Sequence, residues 1–288
     1  MNEKTNLKSS GSLSVAGGIY GDVRTSASLK VHGDLECDSL HCSGSTKISG
    51  ALRCTGKVHC SASAKIEGSV DMESASFSGS FVSGGDVTCT GRFGASGSVQ
   101  AGASMRIGSG SFSGSVTSGG DVTCVEHFNA SGSVQVDGSM RIGRGSFSGS
   151  CTVGGILHGG NVSCSGRLRV GKDVEAEYFH SSGGLEIQGL LNAERVDISV
   201  SVLCNVADIG GGSIAVKKDW RSYFNFVGKP CLRVRTIEGD DVELEATQAS
   251  VVRGKRVRIG KDCEVGRVEY SEELIVEGGG VVREQIRL

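Results

Sequence analysis

Three stretches of the chain carry residue types that could do chemistry. His41-Cys42 recurs, in the same order, as His59-Cys60. Two Cys and two His are a donor set for tetrahedral zinc, provided all four converge on one point at about 2.0–2.3 Å. Neighbouring residues of a strand point to opposite faces, so the pattern sends the imidazoles outward and the thiols inward, and no metal is expected. GRLRVGKD, from Gly166 to Asp173, resembles a phosphate-binding loop until its last position. There Asp stands where Ser or Thr should hold the metal, and strands follow where a helix should. Asp240 and Asp241 are paired carboxylates, but they adjoin Gly239 and read as a solvated corner. His32, His127, His158 and His180 show no base-and-orienter partner, and no serine sits in a G-x-S-x-G elbow. The expectation is therefore no catalytic residue, no metal and no cofactor.

The elements that carry these residues explain why they recur. FSGSFVSGGDVTC begins at Phe77 and returns as FSGSVTSGGDVTC at Phe112, and MRIG at Met105 returns at Met140 after the same interval. Inside that interval lies a shorter beat. VTC at Val87, MRI at Met105, VTC at Val122 and MRI at Met140 follow one another in steps of 18, 17 and 18. LKVHG at Leu29, TKISG at Thr46 and AKIEG at Ala64 keep the same step, as do LRV at Leu168 and LEI at Leu185. Each short unit alternates apolar and polar, which is the period of a strand and not of a helix. Three short strands per step make one coil of a parallel β-helix, an all-β solenoid whose coils bury their inward side chains only against their neighbours. Outward positions should then form ladders such as Lys30, Lys47 and Lys65, or Arg106 and Arg141.

Composition suits this reading. The 288 residues include 46 Gly and one Pro, with a net charge of −2. Glycine is about twice as frequent as the roughly 7% of average domains, as expected of a fold that turns a corner every few residues. The near-neutral charge gives no bulk drive toward nucleic acid. Eleven cysteines lack CxxC pairing, the first ten residues are polar without an apolar h-region, and no apolar run approaches a membrane span. Together these predict a cytoplasmic protein whose cysteines act as small buried hydrophobes.

The rhythm breaks over residues 209–236, which hold the sole Trp and the sole Pro. Lys217, Lys218, Trp220, Arg221, Tyr223, Phe224 and Phe226 gather there. This segment is expected to leave the solenoid, either as a lid on its flank or as a patch that docks on a membrane surface or a membrane protein. The predicted organisation is a polar tail over 1–12, β-helix over 13–208, the aromatic and basic excursion over 209–236, and further coils over 237–288.

GIYGDV at Gly18, VHGDLEC at Val31 and the runs TKISGAL and AKIEGSV resemble the bactofilins, bacterial polymer-forming cytoskeletal proteins. The resemblance spans most of residues 13–208, and IEGDDVELEATQASVVRGKRVRIGKDCEVGRVEY is similar to the carboxyl region of longer Gram-positive members. It implies a right-handed triangular β-helix that assembles end to end, without nucleotide, into non-polar filaments or sheets. It further implies a membrane-associated scaffold in cell shape, envelope synthesis, motility or division. The family's short apolar anchor is not visible in MNEKTNLKSS, nor are its Pro-rich tails.

The expected function is thus a non-enzymatic structural protein whose main partner is itself. Leu13, Val15 and Ile19 are the candidate polymer contacts at one end, with Ile275, Val281, Val282 and Ile286 at the other. Two rival classes share the beat. A hexapeptide-repeat acyltransferase would need a catalytic His at a trimer cleft, and a surface adhesin or ice-binding solenoid would need a regular Thr array.

Overall fold

The computed structural model describes residues 4–219 and 230–288, and among these every regular element is a β-strand. The chain divides into two compact units, residues 1–143 and 144–288. Each is a parallel β-solenoid, as the alternation and the regular coil step predict.

In the amino-terminal unit every coil contributes to three parallel ladders. One runs Leu7, Val23, Leu40, Val58, Ala75, Phe93, Gly110, Phe128. A second runs Leu29, Thr46, Ala64, Phe81, Val99, Val116, Val134. The third runs Leu35, Leu52, Val70, Val87, Met105, Val122. Strands alternate buried and exposed along their length, as in Leu52–Cys60 and Val87–Ala95. Both of these turn one corner without a break, through a register shift, the local signature of a bulge that bends a strand.

The bore explains why the sequence repeats over two coils. Phe77, Phe81, Phe93, Phe112 and Phe128 are at most 2% exposed, and their rings meet at centroid separations of 4.4 to 5.7 Å. Successive coils cannot stack Phe directly on Phe in so narrow a space. Phe77 therefore lies in register with Ala95, and Phe93 with Ala75 on one side and Gly110 on the other. Phe112 in turn faces Ala95 and Ala130, while Phe128 faces Gly110. The ring alternates between two inward positions from coil to coil, so the pattern returns only after two coils. A Cβ on Gly110 would fall 2.5 Å from the Phe112 ring and 2.8 Å from the Ile107 Cδ1, so these neighbouring side chains would have to shift. Each buried Phe contributes roughly 1.5–3 kcal/mol of transfer free energy.

Gly-Asp corners have a second job. Asp34, Asp86 and Asp121 each accept, at Oδ1, the backbone N–H of a residue one coil further on, namely Ala51, Ser104 and Ser139, at 2.7 to 2.9 Å. The carboxylate thereby satisfies a donor at a corner that the strand ladder leaves without a partner. At Gly50 a Cβ would stand 2.1 Å from the Asp34 Oδ1 and 2.6 Å from its backbone N, which is why Gly occupies that corner.

The carboxyl-terminal unit begins in the same style, with Leu157–Cys164, Arg167–Val170 and Val174–Ser181, and then changes. Its later strands, Gly184–Val200, Leu203–Lys218, Cys231–Leu244, Thr247–Ile259 and Glu264–Val276, are 13 to 17 residues long and bend around corners. Leu232 pairs with Thr247 and Asp241 with Arg256, so the step here shortens to 15. Outward rows alternate in charge, and the pairs close across coils. Arg253 Nε lies 2.7 Å from Glu269, Arg256 donates to both Asp241 and Glu272 at 2.6 to 2.8 Å, and Arg267 Nε lies 2.7 Å from Glu284.

Two expected boundaries shift. Leu7–Ser9, within the expected tail, is a strand paired with Asp22–Thr25. Strand also runs through to Lys218 and resumes at Cys231, so residues 209–218 and 231–236 belong to the solenoid and not to the excursion. The apolar alternation persists there, with Ile214, Val216, Leu232 and Val234 all facing inward. Leu203 pairs with Cys231 across an interval far longer than one ordinary coil, so the insertion lies between the two strands.

Candidate polymer-forming surface

The strands at each end of the chain hydrogen-bond on one side only, among the described residues. Leu7–Ser9 pairs with Asp22–Thr25, and Leu13–Ile19 with Leu29–Cys37. At the other end Val281–Arg287 pairs with Glu264–Val276. Such edges present a row of free N–H and C=O groups, ready to pair with another strand.

Register sorts the candidate contacts by direction. Leu13 and Val15 stack on Leu29 and Val31, face the bore and are only half-buried, where their counterparts one coil in are fully buried. Ile19 stands opposite Glu36 on the outer flank and is 61% exposed. Val282 stacks inward on Val265, whereas Val281 and Ile286 stand over the outward Glu264 and Glu269. Ile275 lies in register with Arg258, on the outer face. Inward at that level are Leu274, over Val257, and Val276, over Ile259 and 40% exposed. These two, together with Leu7 over Val23, are bore residues that the reading of the sequence passed over. The signal was available, because Val276 lies one coil step beyond Ile259 while Ile275 lies one step beyond an arginine.

Of the excursion's candidate contacts, Lys217 and Lys218 are strand residues with ion partners. Lys217 is 3.6 Å from Glu243, and Lys218 Nζ is 2.7 Å from Asp262 while its backbone N–H donates to Glu245. Trp220, Arg221, Tyr223, Phe224 and Phe226 lie outside the described residues.

The candidate chemical groups are dispersed. His41 and His59 stack on the outer face at a centroid separation of 4.9 Å, while Cys42 and Cys60 sit in the bore without solvent exposure, the division that strand alternation predicts. Partial burial, then the neighbouring His41 and Lys57, hold His59 below the usual histidine range. Burial pushes Cys60 up to about 12 and Cys89 and Cys124 to about 11, so these thiols carry no nucleophilic thiolate at neutral pH. A groove of about 1080 Å³ crosses the later coils of the carboxyl-terminal unit, floored in part by Gly211, Gly239 and Gly254. Most of its charged groups pair with one another, as in Arg235 with Asp208, Lys255 with Asp240 and Arg253 with Glu238. The Arg235 guanidinium holds Asp208 below the usual carboxylate range, the direction of an ion pair and not of a general acid. Asp241, likewise, bonds Arg256 and is held below that range.

Comparison with known proteins agrees with this architecture. Residues 1–88 match the family model Bactofilin, described as polymer-forming cytoskeletal. Two relatives from Bacillus subtilis (strain 168) are similar over part of their length, and both are called uncharacterized. YhbF is 39% identical over 101 residues, which is 35% of this chain and 42% of YhbF. YhbE is 36% identical over 106 residues, which is 36% of this chain and 45% of YhbE. The chain thus spans less than half the length of the curated relatives it matches. No solved structure matches. The bactofilin match covers the coils with the Gly-Asp corners of Asp34 and Asp86 and the edge strands Leu7–Ser9 and Leu13–Ile19. Among the described residues no helix is long and apolar enough to cross a membrane.

Proposed function

We propose that this protein is a non-enzymatic cytoskeletal element of the cytoplasm, one that polymerises with itself through the edge strands of its terminal coils and needs no nucleotide. The observation that carries this reading is the pair of one-sided edges lying over half-covered apolar rows. Leu7, Leu13 and Val15 form one such row, and Leu274, Val276 and Val282 the other. A second copy seated on either edge completes the strand ladder and covers the row together, so hydrogen bonding and apolar burial favour the same contact. The polymer-forming description of the matched family supports the same end. Polymers of this kind serve as scaffolds for cell shape, envelope organisation or motility, with membrane attachment supplied by the excursion or by a membrane partner.

Negative-stain electron microscopy of the purified protein, with and without added nucleotide, tests this. Filaments or sheets in both conditions are expected. A discrete compact trimer that binds acetyl-CoA would replace the reading with the acyltransferase one.

A further inference from the structure

We propose that one corner of the amino-terminal coils binds the anionic headgroups of a lipid bilayer, through two columns of lysine and arginine. This goes beyond the excursion as a means of membrane attachment, and it rests on the polymer reading above for its strength. The observation behind it is a charge pattern that the fold does not require.

The corner is written in four successive coils as KSSGSLS from Lys8, RTSASLK from Arg24, HCSGSTK from His41 and HCSASAK from His59. In each, serines around one Gly or Ala turn the chain and separate two outward positions on adjoining faces. Register stacks the first positions, Lys8 on Arg24, Arg24 on His41 and His41 on His59. The last positions stack as Lys30, Lys47 and Lys65. All of these Lys and Arg side chains are exposed. Of them, Lys47 alone has an ion partner among the described residues, Glu67 at 3.8 Å. No Asp or Glu lies within the four stretches.

The coils that follow keep the corner and drop the charge. SFSGSFV, GASGSVQ, SFSGSVT and NASGSVQ begin at Ser76, Gly94, Ser111 and Asn129, in register with the first column. Their last residues, Val82, Gln100, Thr117 and Gln135, continue the second. A corner of this kind therefore closes without a basic residue on either side. Like charges directly opposite on neighbouring strands are destabilising, so the columns weaken the fold and answer to something outside the chain. Lysine is a compact, hydrated point charge without the fork that grips a single phosphate, and here it recurs once per coil, about 4.8 Å apart. Evenly spread point charges with no pocket between them suit a surface of many phosphates, where each Lys or Arg adds to the attraction. The four stretches hold no Phe, Tyr or Trp on which a base could stack, which disfavours single-stranded nucleic acid. These charges hold one chain weakly, but a polymer repeats them in every subunit and the contacts act together.

Flotation of the full chain with vesicles on a density gradient tests this, since polymer that binds no vesicle stays at the bottom. The wild type should float with vesicles of phosphatidylcholine and phosphatidylglycerol, stay behind with phosphatidylcholine alone, and be released by high salt. The triple variant Lys30→Gln, Lys47→Gln, Lys65→Gln gives the column the residue that the same corner accepts at Gln100 and Gln135. It should lose about a hundredfold in vesicle affinity per chain, while electron microscopy shows the polymers of the wild type. The reverse change, Gln100→Lys with Gln135→Lys, lengthens the column and should tighten binding by about tenfold or more. Equal flotation with both vesicle compositions, or full flotation of the triple variant, would overturn the proposal. Displacement from the vesicles by an equimolar single-stranded oligonucleotide would assign the columns to nucleic acid and overturn it too. Polymers that form but never float would sink this contact alone. Protein that floats through these lysines without ever polymerising would uphold the contact and sink the polymer reading.

Discussion

The two units reach one architecture by different means. Coils of the amino-terminal unit turn on Gly and Ser corners, keep steps of 16 to 18 and hold few ion pairs, those of Lys4 and of Lys47 with Glu67 among them. Their register is enforced from inside, by the alternation of Phe with Ala or Gly in the bore, and at the corners by aspartate oxygens. The later coils of the carboxyl-terminal unit step by 15 to 17, their strands run through the corners, and register is marked on the outside. Arg235, Arg253, Arg256, Arg258 and Arg267 each reach a carboxylate on a neighbouring coil. A parallel stack has no turn to fix its register, so some side chain must. Either the bore or the surface will serve.

The sharpest way to break that comparison is to open the bore. Phe93→Ala should cost about 3–5 kcal/mol, the usual loss for a buried aromatic, and hydrogen exchange should accelerate through the strands Val70–Phe77 and Met105–Phe112 on either side. Protection in Thr247–Ile259 should stay as in the wild type. If both sets of strands loosened equally, register in the carboxyl-terminal unit would depend on the same spine.

Acid should act in the opposite sense. Ion pairs with Arg235, Arg256 and Arg253 hold Asp208, Asp241 and Glu269 below their usual ranges. A carboxylate whose pKa is depressed by folding contributes stability above its unfolded pKa of about 4, and loses that contribution as pH falls through the lower folded value. Below about pH 4, exchange in Cys231–Leu244 and Thr247–Ile259 should accelerate more than in Val87–Ala95, where no such pairs are found. Equal acceleration would mean that the outer ladders do not hold register.

A smaller effect tests the corners. Asp121→Ala removes the acceptor for the Ser139 N–H and should cost about 1–1.5 kcal/mol, whereas Asp121→Asn keeps an acceptor oxygen and should cost less. Thermal melts of the two variants give the difference directly. Equal losses would show that the charge, and not the hydrogen bond, matters at that corner.

How far the sequence could be read follows from the same contrast. Register in the amino-terminal unit is written in repeated words, because a bore that alternates Phe with Ala or Gly forces the same residues to return every two coils. Lys30, Lys47 and Lys65 fell into line from spacing alone. Arg106 did not continue into a row, since its in-register neighbours are Thr88 and Thr123. In the carboxyl-terminal unit register lies in pairs of unlike residues, and a search for likeness misses it. Arg256 with Asp241 has no repeated phrase to announce it. Ile275 faces outward with Arg258 while Leu274 and Val276 face inward, a distinction carried by the ordinary step of 17 from Val257 and Ile259 and not by any repeated phrase.

The smallest expected effect belongs to one surface arginine. Arg256→Ala removes contacts to Asp241 and Glu272 at once, yet all three groups lie on the surface, where water and salt screen them. The loss should therefore be far below that of Phe93→Ala and should shrink further at high salt, a sign that no bore substitution shares. A reciprocal pair separates charge from register. Arg256→Asp together with Asp241→Arg restores opposite charge across the same coil step, and should recover the protection of Thr247–Ile259 if the ladder itself holds the coils in line. Recovery at low salt but not at high salt would place the effect on the outer ladder. No recovery at any salt would assign register in these coils to Val242, Val257 and Leu274, and the two units would then differ in composition but not in principle.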